Sequence, residues 1–287
     1  MSESRAALSQ QLPEFVDLDF ARRLEMAETI SLDCVDELRR RNPSWPIAAE
    51  VIAGGVAFSG GLNYPANQIV GMGLYGEVTA NDVDQLEHFF RSRGMPSTVV
   101  ISPLADPTLL EALSPRGYRI REFNSVLILR INPDALASPP PGVTIERVTP
   151  ETTGLWASVL SYGFSPETPV SEHVFDGFAV VPGALAFLAR IEGAVAGGCV
   201  GRIIAEARIA ALSGAATLPL FRRRGVQSAL IARRLQEAAD AGCDYAVVST
   251  MPGSGSQRNM ERRGFRVAYT KVVMVREWPE ITPAPGE

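Results

Sequence analysis

Three arginines, a glycine and a short polar run, Arg222-Arg223-Arg224-Gly225-Val226-Gln227-Ser228, stand directly before a segment with helical patterning. The opening turn of a helix carries backbone N–H groups without an intrahelical partner and a partial positive charge, so it suits a phosphate or a diphosphate. Gly225 would let the backbone come close to such a ligand, and the arginines would add attraction and fork-shaped donors. The same residues also describe a solvated charged turn ahead of an ordinary helix. Taken alone, the run leaves both readings open.

The flanking elements give the run its setting. Leu230, Ile231, Ala232, Leu235, Ala238 and Ala239 fall on one side of a helix that ends at Gly242, with Arg233, Gln236, Glu237 and Asp240 opposite. Upstream, Arg208 to Leu218 is an extended run closed by Pro219. Downstream come a short apolar strand, Tyr245 to Thr250, a small-residue turn over Pro252 to Gly255, and a helix over Ser256 to Arg263. Gly264-Phe265 ends that helix, and a last strand covers Arg266 to Arg276.

This order resembles the GNAT family of acetyl-CoA-dependent N-acetyltransferases. The family's cofactor loop reads Gln/Arg-x-x-Gly-x-Gly/Ala. Arg222 and Gly225 match its first two fixed positions, and Gln227 departs from the third. Ser256-Gln257-Arg258-Asn259 followed by Glu261 to Phe265 looks like the family's second cofactor segment. The resemblance implies acetyl-CoA as co-substrate. Backbone groups of Ala216, Thr217 and Leu218 would hold the pantetheine arm, the loop from Arg222, Arg223 and Arg224 through Gly225, Val226, Gln227 and Ser228 would hold the diphosphate, and Asn259 would contact the pantetheine region.

Acetyl transfer to an amine also needs an oxyanion stabilised and protons moved. Many family members carry a tyrosine, four residues before the glycine here numbered 264, that protonates the departing thiolate. Met260 occupies that place and cannot donate, which leaves Tyr269 on the last strand as the nearest candidate, with core packing as its alternative role. No general base stands out. Glu167, Glu172, His173 and Asp176 lie in the segment that lines the acceptor side in the family, but a solvated face is the better explanation for each. Neither histidine has a partner at metal-ligand spacing and the cysteines form no CxxC pair, so no metal is expected.

The chain has 287 residues, 46% of them hydrophobic, a length that suits two domains. The Pro-rich run at 137–142 divides a first domain, 1–136, from a second, 143–278, with 279–287 as a loose tail. The halves repeat one plan. Gly94, the strand Thr98 to Ile101, Arg116-Gly117-Tyr118 and the strand Ser125 to Arg130 echo Gly242, Ala246 to Ser249, Arg263-Gly264-Phe265 and the last strand. The first half has Gly76 to Asp82 where the arginine loop would be, and its acidic Glu77 and Asp82 would repel a diphosphate. It reads as a degenerate copy, preceded by a helical stretch from Leu18 to Arg41. The fold class expected is α+β: two tandem GNAT-like domains, each a mixed, mostly antiparallel sheet flanked by helices.

A net charge of −5 argues against general nucleic-acid binding. No apolar run reaches membrane-spanning length, the amino terminus lacks a secretory layout, and the three cysteines imply no disulfide framework, so the expected home is the cytoplasm. Lys271 is the chain's only lysine, a skew read as coding bias. The function expected is transfer of an acetyl group to the amine of a small-molecule or amino-acid-like acceptor. The alternative is a non-catalytic acyl-CoA-binding sensor or interaction module. Monomer and homodimer both stay open.

Overall fold

Apolar alternation along the chain becomes strand, and three- to four-residue periodicity becomes helix, in a computed structural model that describes residues 15–279 apart from 63, 137, 165–174, 176 and 180. The strands are β1 (Ala48–Ile52), β2 (Gly55–Ser59), β3 (Gln68–Val70), β4 (Ser97–Ile101), β5 (Arg119–Arg130), β6 (Thr144–Arg147), β7 (Phe187–Ile191), β8 (Ala194–Ile204), β9 (Ile209–Thr217), β10 (Tyr245–Thr250) and β11 (Arg266–Arg276). The helices are α1 (Leu18–Glu28), α2 (Leu32–Arg41), α3 (Ala80–Arg91), α4 (Thr108–Leu113), α5 (Thr153–Phe164), α6 (Val226–Asp240) and α7 (Gly255–Glu261).

The eleven strands of the described residues join one mixed sheet in the order β1-β2-β3-β4-β11-β5-β10-β9-β8-β7-β6. Only β3–β4 and β9–β10 pair in parallel. The centre of the sheet carries the main departure from two separate sheets. β11, the last strand of the second half, pairs with β4 of the first, from Val272↔Ile101 to Arg276↔Ser97. β5, the last strand of the first half, pairs with β10 of the second, from Tyr245↔Arg130 to Thr250↔Ser125. The two halves have exchanged their final strands, and β5 and β11 lie side by side between them.

Helices cover both faces. α6 seals a core with Phe187, Ala210, Leu212, Ala246 and Phe265. On the opposite face α1 packs Phe20 and Leu24 against Ile209, Ala211, Tyr245 and Val247, and α5 places Trp156 and Leu160 over Leu188 and Ala216. In the first half α3 and α4 enclose Val83, Leu86, Phe90 and Leu109 over Ile69 and Val99. The glycines paired in the repeat do the same work: Gly94 and Gly242 end α3 and α6 with φ of +71° and +73°.

The helix expected from Leu18 to Arg41 is broken. Thr29 turns extended, and its hydroxyl donates back to the Glu25 carbonyl at 2.8 Å. Arg202 of β8 donates to Ser31 Oγ at 3.1 Å, fixing the turn between α1 and α2. The β1–β2 hairpin and short β3 have no counterpart in the sequence reading, because Ala48-Ala49 and the surrounding glycines carry little alternation. The helix expected near Ser171 to Phe178 lies largely outside the described residues.

Candidate active site

The site begins with a defect in the sheet. β8 and β9 pair Val200 with Gly214 and then Arg202 with Ala211, so Leu212 and Ser213 together oppose Gly201. Such a bulge sharpens the local twist and bends the strand. There is no space for a side chain at Gly201, where a Cβ would lie 2.4 Å from the Ala211 carbonyl oxygen. Arg234 of α6, 2% exposed, reaches the bulge and donates from Nη1 to the carbonyls of Val200 at 3.0 Å and Gly214 at 3.3 Å. Burial lowers the Arg234 pKa from its usual value. At the level of the bulge β9 leaves its other neighbour, since Ala211↔Val247 is the last β9–β10 pair. Beyond it β9 continues to Thr217 and β10 to Thr250 with no strand between them.

Strand alternation decides which of the three strand residues face this gap. Leu218 donates its N–H to the Ala196 carbonyl at 3.0 Å, on the β8 side. The Ala216 carbonyl also points to β8, 2.5 Å from where a Cβ on Gly197 would be. Backbone groups alternate sides along a strand, so Thr217 turns to the gap. Of Ala216, Thr217 and Leu218, only the middle residue offers its backbone there. The expectation for the other two is corrected: Ala216 and Leu218 turn their backbone groups to β8.

At the end of β9 the chain makes the arginine turn. Arg223 and Gly225 have φ of +64° and +84°. A side chain at 225 would meet Pro140 Cγ at 3.0 Å, so the proline run rests on the turn and glycine is required twice over. α6 has no side-chain cap. Ala229 donates to the Gly225 carbonyl at 3.0 Å, while Val226, Gln227 and Ser228 occupy the first turn, where N–H groups have no intrahelical acceptor. Arg222, Arg223 and Arg224 are exposed, and none has a carboxylate partner among the described residues. Arg224 stacks over Phe221 at 5.6 Å.

α7 forms the other wall. Asn259 Nδ2 donates to Gln227 Oε1 at 2.9 Å, and Arg263 donates to Ser228 Oγ and, at 2.8 Å, to the Asn259 carbonyl. Gln227, the residue that departs from the family loop, thus ties α6 to α7. Thr250, the last residue of β10, is 6% exposed, and its Oγ1 has no partner among the described residues. A buried hydroxyl left unpaired marks a place for a polar ligand group. Outside α6 a cavity of about 740 Å³ is lined by Ser228, Ile231, Asn259, Arg262 and Arg263 and walled by residues following β5.

Tyr269 takes no part in this gap. It is 8% exposed in the core beneath α1, and its hydroxyl donates to Glu25 Oε1 at 2.8 Å. Burial and the neighbouring Glu25 charge push its pKa well above the ordinary phenol value. The proposed acid is thereby corrected: the strand's alternation turns Tyr269 to the α1 face. Met260 is 3% exposed in the α6 core. Glu167, Glu172, His173 and Asp176 lie outside the described residues, and His88 is on α3 in the first half. No cluster of three or more His, Cys, Asp or Glu suited to a metal occurs among the described residues. Cys34, Cys199 and Cys243 are buried and free, and burial raises the thiol pKa of the last two.

The equivalent place in the first half is shut. Thr79 and Asp82 close the start of α3 with a reciprocal capping box. The Val78 N–H donates to Thr108 Oγ1, and the Asp106 N–H to the Gly73 carbonyl, both at 2.8 Å. Groups that are open in the second half are satisfied internally here.

Residues 153–265 match the acetyltransferase (GNAT) family, so the second half carries a GNAT-family acetyltransferase domain. A GCN5-related N-acetyltransferase from Kribbella flavida is 18% identical, covers 91% of this chain and 96% of its own, and superposes with a TM-score of 0.62. A tandem GNAT protein from the clavulanic acid biosynthesis pathway is 13% identical over 93% of this chain and 94% of its own, with a TM-score of 0.57. FemX, at 10% identity, covers 93% and 97% with a TM-score of 0.55. These likenesses establish the tandem fold over most of the chain. No curated protein matches the sequence. No helix among the described residues is long and apolar enough to cross a membrane.

Proposed function

We propose that the second half is an acetyl-CoA-dependent N-acetyltransferase acting on the amine of a small or amino-acid-like acceptor. One observation carries the reading: a helix start without a side-chain cap, flanked by three arginines that have no carboxylate partner among the described residues, stands at the end of a strand that has parted from its neighbour. An extended chain bearing amides can lie in such a gap with Thr217 as a backbone partner, and a diphosphate suits the first turn of α6. The orphaned Thr250 hydroxyl fits the same ligand. The cavity beside Ser228, with Arg262 and Arg263 on its rim, suits the nucleotide end. Bound there, the co-substrate supplies an activated acetyl thioester. The chain's own residues anchor it, orient it and keep the gap narrow through Gln227 and Asn259.

The closed first-half turn supports a single coenzyme site. Calorimetry with coenzyme A is expected to give one site per chain. Two equivalent sites, or none, would refute the reading. The buried Met260 at the family tyrosine's place favours a second reading, an acyl-CoA-binding sensor. Release of thiol from acetyl-CoA in the presence of primary amines decides for the enzyme, and tight binding without turnover decides for the sensor. A cytoplasmic home and either a monomer or a homodimer accord with this proposal.

A further inference from the structure

α1 belongs to the first half but packs across β9 and β10 of the second. At its middle Arg23 donates to the Ala207 carbonyl at 2.8 Å and to Asp244 at 3.3 Å, beside the beginning of β10. At its end Glu28 accepts a hydrogen bond from the Ser249 hydroxyl, beyond Val247, where β9 and β10 have already separated. A helix of the first half therefore brings a carboxylate to the open end of the second half's gap.

That carboxylate is held by a buried cluster. Lys271 donates to Glu28, and to Glu25 Oε2 at 3.0 Å, while Tyr269 occupies the other Glu25 oxygen. Two carboxylates share one ammonium, so the cluster holds one carboxylate more than it has cations. The side chains of Glu25 and Lys271 are sealed at 2% and 3% exposure, whereas Glu28 keeps 16% and Ser249 is exposed. The other charged groups around α1 are engaged: Arg22 with Asp19, Arg23 with Asp244, and Arg202 with Ser31 and Cys34. Thr250, adjoining Ser249, carries a buried hydroxyl without a partner among the described residues, and strand alternation turns it to the α6 face, across the strand from Ser249 and Glu28.

We propose that Glu28 accepts the proton of the acceptor's ammonium, with Ser249, Lys271 and Glu25 positioning it, so that the first half completes the transfer site of the second. The inference deepens the acetyltransferase reading and rests on it. Glu28 takes one proton from the ammonium, and the freed nitrogen lone pair bonds to the thioester carbonyl carbon. The C–S bond breaks, sulfur leaves as thiolate, and the second nitrogen proton ends on that sulfur by way of solvent. Glu28 returns its proton to water. One ammonium and one thioester give one amide, one thiol and one proton.

The test is Glu28→Gln in the full chain, with ethanolamine, benzylamine and glycinamide as acceptors and thiol release as the signal. General-base removal is expected to lower kcat/KM about 100-fold or more at pH 7. The deficit should shrink toward pH 10, where the amines are already free bases, and calorimetric affinity for coenzyme A should stay within twofold. Glu28→Asp, which keeps the carboxylate, is expected to retain at least a tenth of the activity and serves if the Gln variant melts. A wild-type protein that binds coenzyme A but acetylates none of these amines would overturn the proposal. A Gln variant within threefold of wild type, or a loss equal at every pH, would also overturn it. Failure to bind coenzyme A at all would instead strike the acetyltransferase reading.

Discussion

Replacing Lys271 by Met removes the only cation of the cluster beneath the central strands. Its ammonium is 3.0 Å from Glu25, and both side chains are almost fully enclosed, so solvent screens the pair little. Burial alone would discharge the lysine, but the charges of Glu28 and Glu25 outweigh it and hold its pKa above the usual value. A lysine with a raised folded pKa stabilises fully below its unfolded pKa and loses that contribution only as pH climbs through the folded value. Wild-type support from this group is therefore flat across neutral pH. Without it, the buried Glu25 and the half-buried Glu28 keep their hydroxyl partners but lose their counter-ion, which costs about 3–5 kcal/mol, a large share of the ~5–15 kcal/mol of a typical domain. Burial already raises the Glu25 pKa, and losing Lys271 raises it further. A carboxyl with a raised folded pKa favours folding when protonated, and the benefit is lost as pH rises through that value. The Lys271→Met deficit should thus be largest near pH 8 and shrink toward pH 5. Urea denaturation followed by circular dichroism at both pH values measures it. A deficit under 1 kcal/mol at pH 8, or one unchanged at pH 5, refutes the reasoning.

Arg224→Glu puts an anion beside the open α6 turn and is expected to weaken coenzyme A binding about tenfold at low salt, less at high salt, by calorimetry. Thr250→Val replaces an unpaired buried hydroxyl with a methyl, so it should stabilise the free protein by up to about 1 kcal/mol in thermal melts yet lower coenzyme affinity several-fold. Arg234→Met leaves the bulge carbonyls of Val200 and Gly214 without their donor. We expect a loss of about 2–3 kcal/mol in urea, together with weaker coenzyme binding as the gap between β9 and β10 loses its shape.

The arginine turn was legible because its signals are local: a strand closed by Pro219, Gly225 at the turn, and apolar periodicity that begins at once in α6. The repeat was legible for the same reason, through Gly94 and Gly242 at helix ends and Gly117 and Gly264 before the final strands. Strand exchange was not, because β5 and β11 carry the same apolar alternation whichever β10-like edge they join. Tyr269 looked available since sequence position measures distance from Gly264 but not the face to which the strand turns it. Lys271 looked like a trace of arginine-rich coding, whereas its compact, buried ammonium serves two carboxylates at once. Glu25 and Glu28 drew no notice, since their helix lies far from the coenzyme motif in sequence and meets it only across the joined sheet.

The crossing of β5 and β11 also sets a timetable for biosynthesis. When the ribosome has made the first half, β4 has no neighbour on its inner side, and the strand it awaits ends at residue 276. β5, already synthesised, waits in turn for β10. Each half thus leaves an edge that the other covers in the folded chain, and the native pairing of both edges is complete only once β11 has been made.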